Sequence, residues 1–81
     1  MARYISRRNR ISACALKRRP IGTVVFHHSS WEDVKFTRTH GGWVRERIDF
    51  FGLRTEVISS TIVACECNMA LGCKDSWARI Y

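Results

Sequence analysis

Two stretches of alternating residues flank a short glycine-containing segment in the middle of this chain, and they constrain the fold more than any other feature. The first runs from about Val34 to Thr39 and the second from Trp43 to Phe50, with His40-Gly41-Gly42 between them. Alternation of apolar and polar residues is typical of a strand with one buried face, and glycine between two such strands is typical of a hairpin. The sequence therefore predicts an antiparallel hairpin.

The register of this hairpin decides which side chains reach the core, because a slip of one residue turns every side chain over. A three-residue loop, His40-Gly41-Gly42, gives one face with four apolar residues and a diagonal Arg38–Glu46 ion pair. The four apolar residues are Val34, Phe36, Val44 and Ile48. The opposite, outer face then carries Lys35, Thr37, Thr39, Trp43, Arg45 and Arg47. We expect this outer face to be a basic surface with one aromatic residue.

The remaining segments predict further strands and one helix. Thr23 to His27 is rich in β-branched and aromatic residues, and Arg54 to Ile58 is a fourth candidate strand. A serine or threonine near Ser59 can cap a helix that ends before Gly72, with Ile62, Cys65 and Met69 at helical spacing. The apolar stripe of this helix is widened by Val63, Cys67, Ala70 and Leu71. The predicted fold is α+β: a small single domain in which an antiparallel β-meander of three to four strands packs on one C-terminal helix.

All of the excess positive charge lies in residues 1–20, called here the basic arm. The arm has seven basic residues and no acid, whereas residues 21–81, the predicted α+β body, have seven of each sign. Its basic residues are Arg3, Arg7, Arg8, Arg10, Lys17, Arg18 and Arg19. Clustered like charges repel one another and are stabilised by a polyanion or an acidic surface, and arginine suits phosphate recognition.

These features predict a small binding protein. Our first hypothesis is that it docks on nucleic acid, DNA or RNA, or on a ribonucleoprotein, through the basic arm, with a second contact on the outer hairpin face. That second contact would use Lys35, Trp43, Arg45 and Arg47, because an aromatic side chain among cations is suited to single-stranded nucleic acid. The alternative is a protein-binding inhibitor or adaptor, for example a small phage-type antagonist of a host enzyme or defence complex. Its arm would then occupy an acidic or nucleic-acid-binding cleft.

Other classes of function have weaker support. A zinc site would need Cys65, Cys67, Cys73 and one of Cys14, His27, His28 or His40, but the ligand spacing is poor. We therefore expect all four cysteines to be small buried residues, with no metal or other cofactor. The adjacent His27 and His28 would point to opposite faces of a strand, so at most one enters a given cleft, and we expect no enzymatic activity. No apolar run spans a membrane and no signal peptide is present, which predicts a cytoplasmic protein.

Overall fold

In the computed structural model the described residues form a six-stranded antiparallel sheet with two helices on one face. The structure describes residues 3–5, 11–30, 32–49, 51–73 and 75–81. The strands are β1 (Arg3–Tyr4), β2 (Val24–His28), β3 (Asp33–Thr39), β4 (Gly42–Asp49), β5 (Gly52–Ile58) and β6 (Trp77–Ile80). The helices are α1 (Ala13–Lys17) and α2 (Ser60–Leu71). The order across the sheet is β1-β6-β2-β3-β4-β5. The predicted α+β class is confirmed, with β1 and β6 added to the expected meander.

Helix α2 begins and ends where local chemistry predicts. The Ser59 side chain accepts a hydrogen bond from the backbone N–H of Ile62, and Gly72 is the C-cap residue. Its buried side chains include Val63, Cys67 and Leu71. Of the predicted stripe, Val63, Cys67, Ala70 and Leu71 are therefore buried as expected, whereas Ile62, Cys65 and Met69 are exposed.

Residues 11–19, before Pro20, form part of the packed domain. Ser12 caps α1 by accepting from the Ala15 N–H at 3.1 Å, and Leu16 is buried in the core. Asn68 on α2 joins this segment through two hydrogen bonds with the Ile11 backbone, at 3.0 and 3.1 Å. Residues 11–19 are thereby anchored to α2. Within the described part of the chain, neither helix has the length and apolar character needed to cross a membrane.

The predicted hairpin is present, but its predicted register is wrong by one residue. Thr39 pairs with Gly42, so the loop has two residues, and Arg38 lies opposite Trp43. Gly42 is the first residue of β4 and has a φ of +140°, and a Cβ there would lie 2.7 Å from the Ile58 carbonyl oxygen. Only glycine fits this position. The shift turns Trp43 onto the helix-covered face, where its side chain is fully buried.

The two faces of the sheet differ in how they are covered. The face against the helices holds the core, which is formed by Leu16, Val25, Val34, Phe36, Trp43, Val63, Ala64 and Cys67. The opposite face, called here the open face, has no described helix packed on it. Strand alternation and the pairing registers place on it Val24, Phe26, His28, Lys35, Thr37, Val44, Glu46, Ile48, Leu53, Thr55, Val57, Trp77 and Arg79.

Candidate nucleic-acid interface

Three rings form an aromatic cluster on the open face, defined by Phe26, His28 and Trp77. His28 lies directly opposite Trp77 in the β2–β6 pairing, and Phe26 is two residues away on the same face of β2. The ring centroids of Phe26 and His28 each lie 5.5 Å from that of Trp77, with interplanar angles of 31° and 27°. The cluster is half-buried. Its outer surface is a contiguous aromatic platform on the sheet.

Cationic groups adjoin this platform. The guanidinium carbon of Arg79 lies 5.0 Å from the Trp77 ring centroid, and Arg79 Nη1 donates to the Tyr81 hydroxyl at 3.3 Å. Lys35 is exposed and lies opposite Phe26 in the β2–β3 pairing. His28 Nδ1 contacts Asp33 Oδ1 at 2.5 Å, which fixes the imidazole at the edge of the cluster. Aromatic rings and cations are therefore interleaved over three neighbouring strands.

The basic arm enters the sheet beside the same platform. Its strand β1 pairs with Ile80 and Arg79 of β6, and the Ile5 N–H donates to the Ala78 carbonyl at 2.9 Å. Three other arm cations, Lys17, Arg18 and Arg19, are exposed. The remaining predicted arm contacts are the side chain of Arg3 and the residues Arg7, Arg8 and Arg10, which lie outside the described residues. The backbone thus brings residues 3–5 of the arm to the β6 edge, whereas residues 11–19 of the arm are anchored to α2 on the helix-covered face.

Of the residues predicted for the outer hairpin face, Lys35, Thr37 and Thr39 lie on the open face, whereas Trp43, Arg45 and Arg47 do not. Trp43 is buried and donates from Nε1 to Ser60 Oγ at 2.9 Å. Arg45 and Arg47 lie on the helix-covered face, so the predicted basic surface around Trp43 is wrong. The physical reason is the one-residue shift in register, together with acidic partners that neutralise both arginines inside the protein.

Those acidic partners come from three different segments. Glu66 on α2 binds both Arg45 and Arg47, the second through Arg47 Nη2 at 2.7 Å. Glu56 on β5 also binds Arg45, and Glu32 lies 3.2 Å from Arg47 Nε. Burial alone would lower the pKa of Arg45, but its hydrogen bonds to Glu56 and Glu66 raise that pKa overall. The network is internal and links the sheet to α2.

A half-open pocket of about 240 Å³, with a lining that is more apolar than polar, lies beside this network. It is lined by the His27 ring together with Glu32, Arg47 and Glu66, and it reaches Cys73. His27 is 2% exposed, and neither of its ring nitrogens has a hydrogen-bond partner among the described residues. Burial lowers the pKa of His27 to about 4, against an opposing effect of Glu66. His27 is therefore neutral near pH 7. Its neighbour His28 lies on the other face, as predicted.

The buried imidazole makes stability depend on pH. The folded-state pKa of His27 is below the unfolded value, so between the two values the unfolded chain binds one proton more. The contribution of neutral His27 to the free energy of unfolding is fully present above the unfolded-state pKa, and it is lost as the pH falls toward about 4. We expect the His27 contribution to the free energy of unfolding to fall by about 2 kcal/mol between pH 7 and pH 5.

Urea unfolding of the unsubstituted protein and of His27→Leu at both pH values measures this contribution. The loss of unfolding free energy between pH 7 and pH 5 should be smaller in His27→Leu than in the unsubstituted protein. His28→Leu, on the open face, serves as the matched control. An equal pH dependence in the unsubstituted protein and His27→Leu would contradict the assignment.

The cysteines do not share one environment. Cys67 is buried, and burial raises the pKa of its thiol to about 12, with a further contribution from Glu66. Cys14 and Cys65 are exposed, so the expectation of buried cysteines is wrong for these two. Among the residues that the structure describes, no group of three or more His, Cys, Asp or Glu side chains could hold a metal ion.

Sequence reasoning missed the aromatic cluster. A signal for it exists in the C-terminal residues, where Trp77, Arg79 and Tyr81 occupy alternate positions, as they would on one face of a strand. Phe26 and His28 have the same spacing. Comparisons of this chain with protein-family models, curated proteins and solved structures found no match, so the functional argument rests on these residues themselves.

Proposed function

We propose that this protein binds single-stranded nucleic acid on the part of its open face formed by β6, β2 and β3. The observation that carries the proposal is the cluster of Phe26, His28 and Trp77, with Arg79 against the indole and Lys35 on the next strand. Unpaired bases stack on aromatic rings of this kind, and cations beside the rings bind the phosphates.

The basic arm supplies the electrostatic part of this function. Its seven cations give the chain its net charge of +7, since the rest of the chain is neutral. Because β1 pairs with β6, the arm starts beside the strand that carries Trp77 and Arg79. Phosphate contacts by the arm would raise affinity for any sequence, while the aromatic platform favours unpaired bases over duplex.

Replacing Trp77 with alanine is expected to weaken binding to a short labelled oligothymidylate or oligouridylate by about 5-fold to 150-fold, the range for loss of one stacked base. Fluorescence anisotropy with nuclease-treated protein measures the affinity. Phe51→Ala is the matched control, because Phe51 is 90% exposed but lies in the β4–β5 turn. An equal loss in both variants would contradict a specific role for Trp77, and circular dichroism checks that each variant is folded.

The same titration tests the arm through its salt dependence. The triple variant Arg7→Ala, Arg8→Ala, Arg10→Ala should reduce the slope of log Kd against log salt by about 2, for three lost phosphate contacts. The Trp77→Ala variant should leave that slope unchanged, because stacking releases no counterions. Binding that is insensitive both to salt and to these replacements would overturn the proposed function.

A further inference from the structure

Strand β5 is an exposed edge of the sheet, on the side away from the basic arm. Within the described part of the chain it pairs only with β4, and each residue from Gly52 to Val57 is exposed. Natural edge strands are usually protected by proline, lysine or a bulge, because their free backbone groups can pair with another strand. β5 contains no proline or lysine, and its register with β4 runs without a bulge. Its two charges, Arg54 and Glu56, have opposite signs.

The backbone groups that β5 offers can be assigned from the hydrogen-bond pattern. Arg38 on β3 directs its N–H toward β2, where it donates to the Thr23 carbonyl at 2.8 Å. Successive residues of an antiparallel strand direct their N–H and C=O groups alternately to the strands on either side. The β3–β4 and β4–β5 registers therefore determine which residues of β4 and then of β5 direct these groups toward each other. The residues of β5 whose N–H and C=O groups point away from β4 are therefore Leu53, Thr55 and Val57.

We propose that β5 pairs antiparallel with β5 of a second copy of this chain, about a two-fold axis at Thr55. In this register Thr55 lies opposite Thr55 of the second copy, and Leu53 opposite its Val57, so the outward-facing backbone groups of both strands meet. Arg54 lies opposite Glu56 of the second copy, and the symmetry repeats this charge pair. The two sheets become one continuous sheet with no exposed β5 edge.

The charges select this register over its neighbours. Moving the axis to Arg54 would place that residue opposite its own copy, and moving it to Glu56 would oppose two carboxylates. Like charges directly opposed on neighbouring strands are destabilising, whereas opposite charges are stabilising. Glu56 already binds Arg45 through Oε2, but its side chain is 51% exposed and a carboxylate can accept from two guanidinium groups.

The apolar side chains of β5 also support this pairing. Leu53 and Val57 are 62% and 71% exposed on the open face, and Ile48 beside Leu53 is 58% exposed. In the proposed pairing each Leu53 contacts Val57 of the second copy, and the apolar strips of the two chains join across the axis. Burial of such side chains stabilises a pairing that backbone hydrogen bonds alone would leave weak.

Charge repulsion between the copies is small in this arrangement. The basic arm enters the sheet at β1, five strands from β5, which is a distance of about 24 Å. The screening length is about 8 Å at physiological salt, so charges at the β1 edges of the two copies interact weakly across the β5 interface. The rest of the chain has no net charge.

Sedimentation equilibrium over a series of protein concentrations tests the proposal. The unsubstituted protein should show a monomer–dimer equilibrium, and the Arg54→Glu variant should raise the dimer Kd by at least about tenfold, because both charge pairs become repulsive. Circular dichroism checks that this variant is folded. Arg19→Glu, which makes the same change in net charge in the exposed segment after α1, is the control and should dimerise normally.

A mixing experiment tests the register directly, with circular dichroism to check that each variant is folded, because Glu56→Arg removes one acidic partner of Arg45. Arg54→Glu and Glu56→Arg should each dimerise poorly alone, but an equimolar mixture should form a heterodimer, because both opposed pairs then have opposite signs. Recovery of dimer on mixing supports the register. A protein that is monomeric at every concentration, or a dimer equally stable in Arg54→Glu, would overturn the proposal. This proposal is independent of nucleic-acid binding, because its readout is the mass of the protein alone.

Discussion

The Trp43→Ala variant is expected to lose about 3–5 kcal/mol of its stability, a large part of the total. Trp43 is fully buried, and its indole N–H donates to Ser60 Oγ at 2.9 Å, so the replacement removes a large core side chain and leaves a cavity. Replacements of this kind cost about 3–5 kcal/mol, whereas a domain of this length has a total stability of about 4–12 kcal/mol. Urea unfolding followed by circular dichroism measures the loss.

Two milder variants make this result specific. Trp43→Phe fills most of the space, and Ser60→Ala removes only the acceptor of the indole N–H, so each should cost about 1–2 kcal/mol. A Trp43→Ala protein of nearly normal stability would contradict the observed register. It would instead favour the three-residue loop, in which Trp43 lies on the outer face.

The Glu66→Ala variant is expected to lose about 2–3 kcal/mol of stability. Glu66 is the shared partner of Arg45 and Arg47, whose side chains are only 13% and 25% exposed, and its removal leaves both guanidinium groups partly buried with fewer acceptors. Urea unfolding measures the change in free energy. Glu46→Ala, on the open face, is the matched control and should cost less than about 1 kcal/mol. Equal losses in the two variants would contradict a structural role for the Glu66 network.

The local elements of this fold are predictable because their signals are short in sequence. Ser59 and Gly72 bound α2 through capping contacts within a few residues, and a strand near Val24 to His28 follows from β-branched and aromatic composition. The existence of the hairpin follows from alternation around Gly41. Each of these predictions depends on interactions that the segment makes with itself.

The hairpin register is not predictable in this way, because it depends on residues far along the chain. Choosing the register that gives one apolar face predicts Arg45 and Arg47 on the outer face, because two arginines near a core are unfavourable without partners. On the helix side Glu66 binds both arginines and Glu32 binds Arg47, so this face accommodates them. Trp43, which lies on the same face of β4, then packs in the core. No pattern within β3 and β4 contains that information.

The candidate interface was missed for a related reason. Phe26 and Trp77 are far apart in sequence, and only the pairing of β2 with β6 brings their rings together. The clustered charge predicted binding through the basic arm. The arm begins beside this cluster, through the pairing of β1 with β6. An aromatic platform on a sheet is a property of strand order, which a single sequence specifies only indirectly.

The most direct test of the proposed function follows the indole N–H signals of ¹⁵N-labelled protein during titration with a short oligothymidylate or oligouridylate. Trp77→Phe and Trp43→Phe assign the two relevant signals, and the buried Trp43 is an internal reference within the same molecule. We expect the Trp77 signal to shift progressively to saturation while the Trp43 signal stays in place. Binding that leaves the Trp77 signal unchanged would contradict the account, because the oligonucleotide would then lie away from the aromatic cluster.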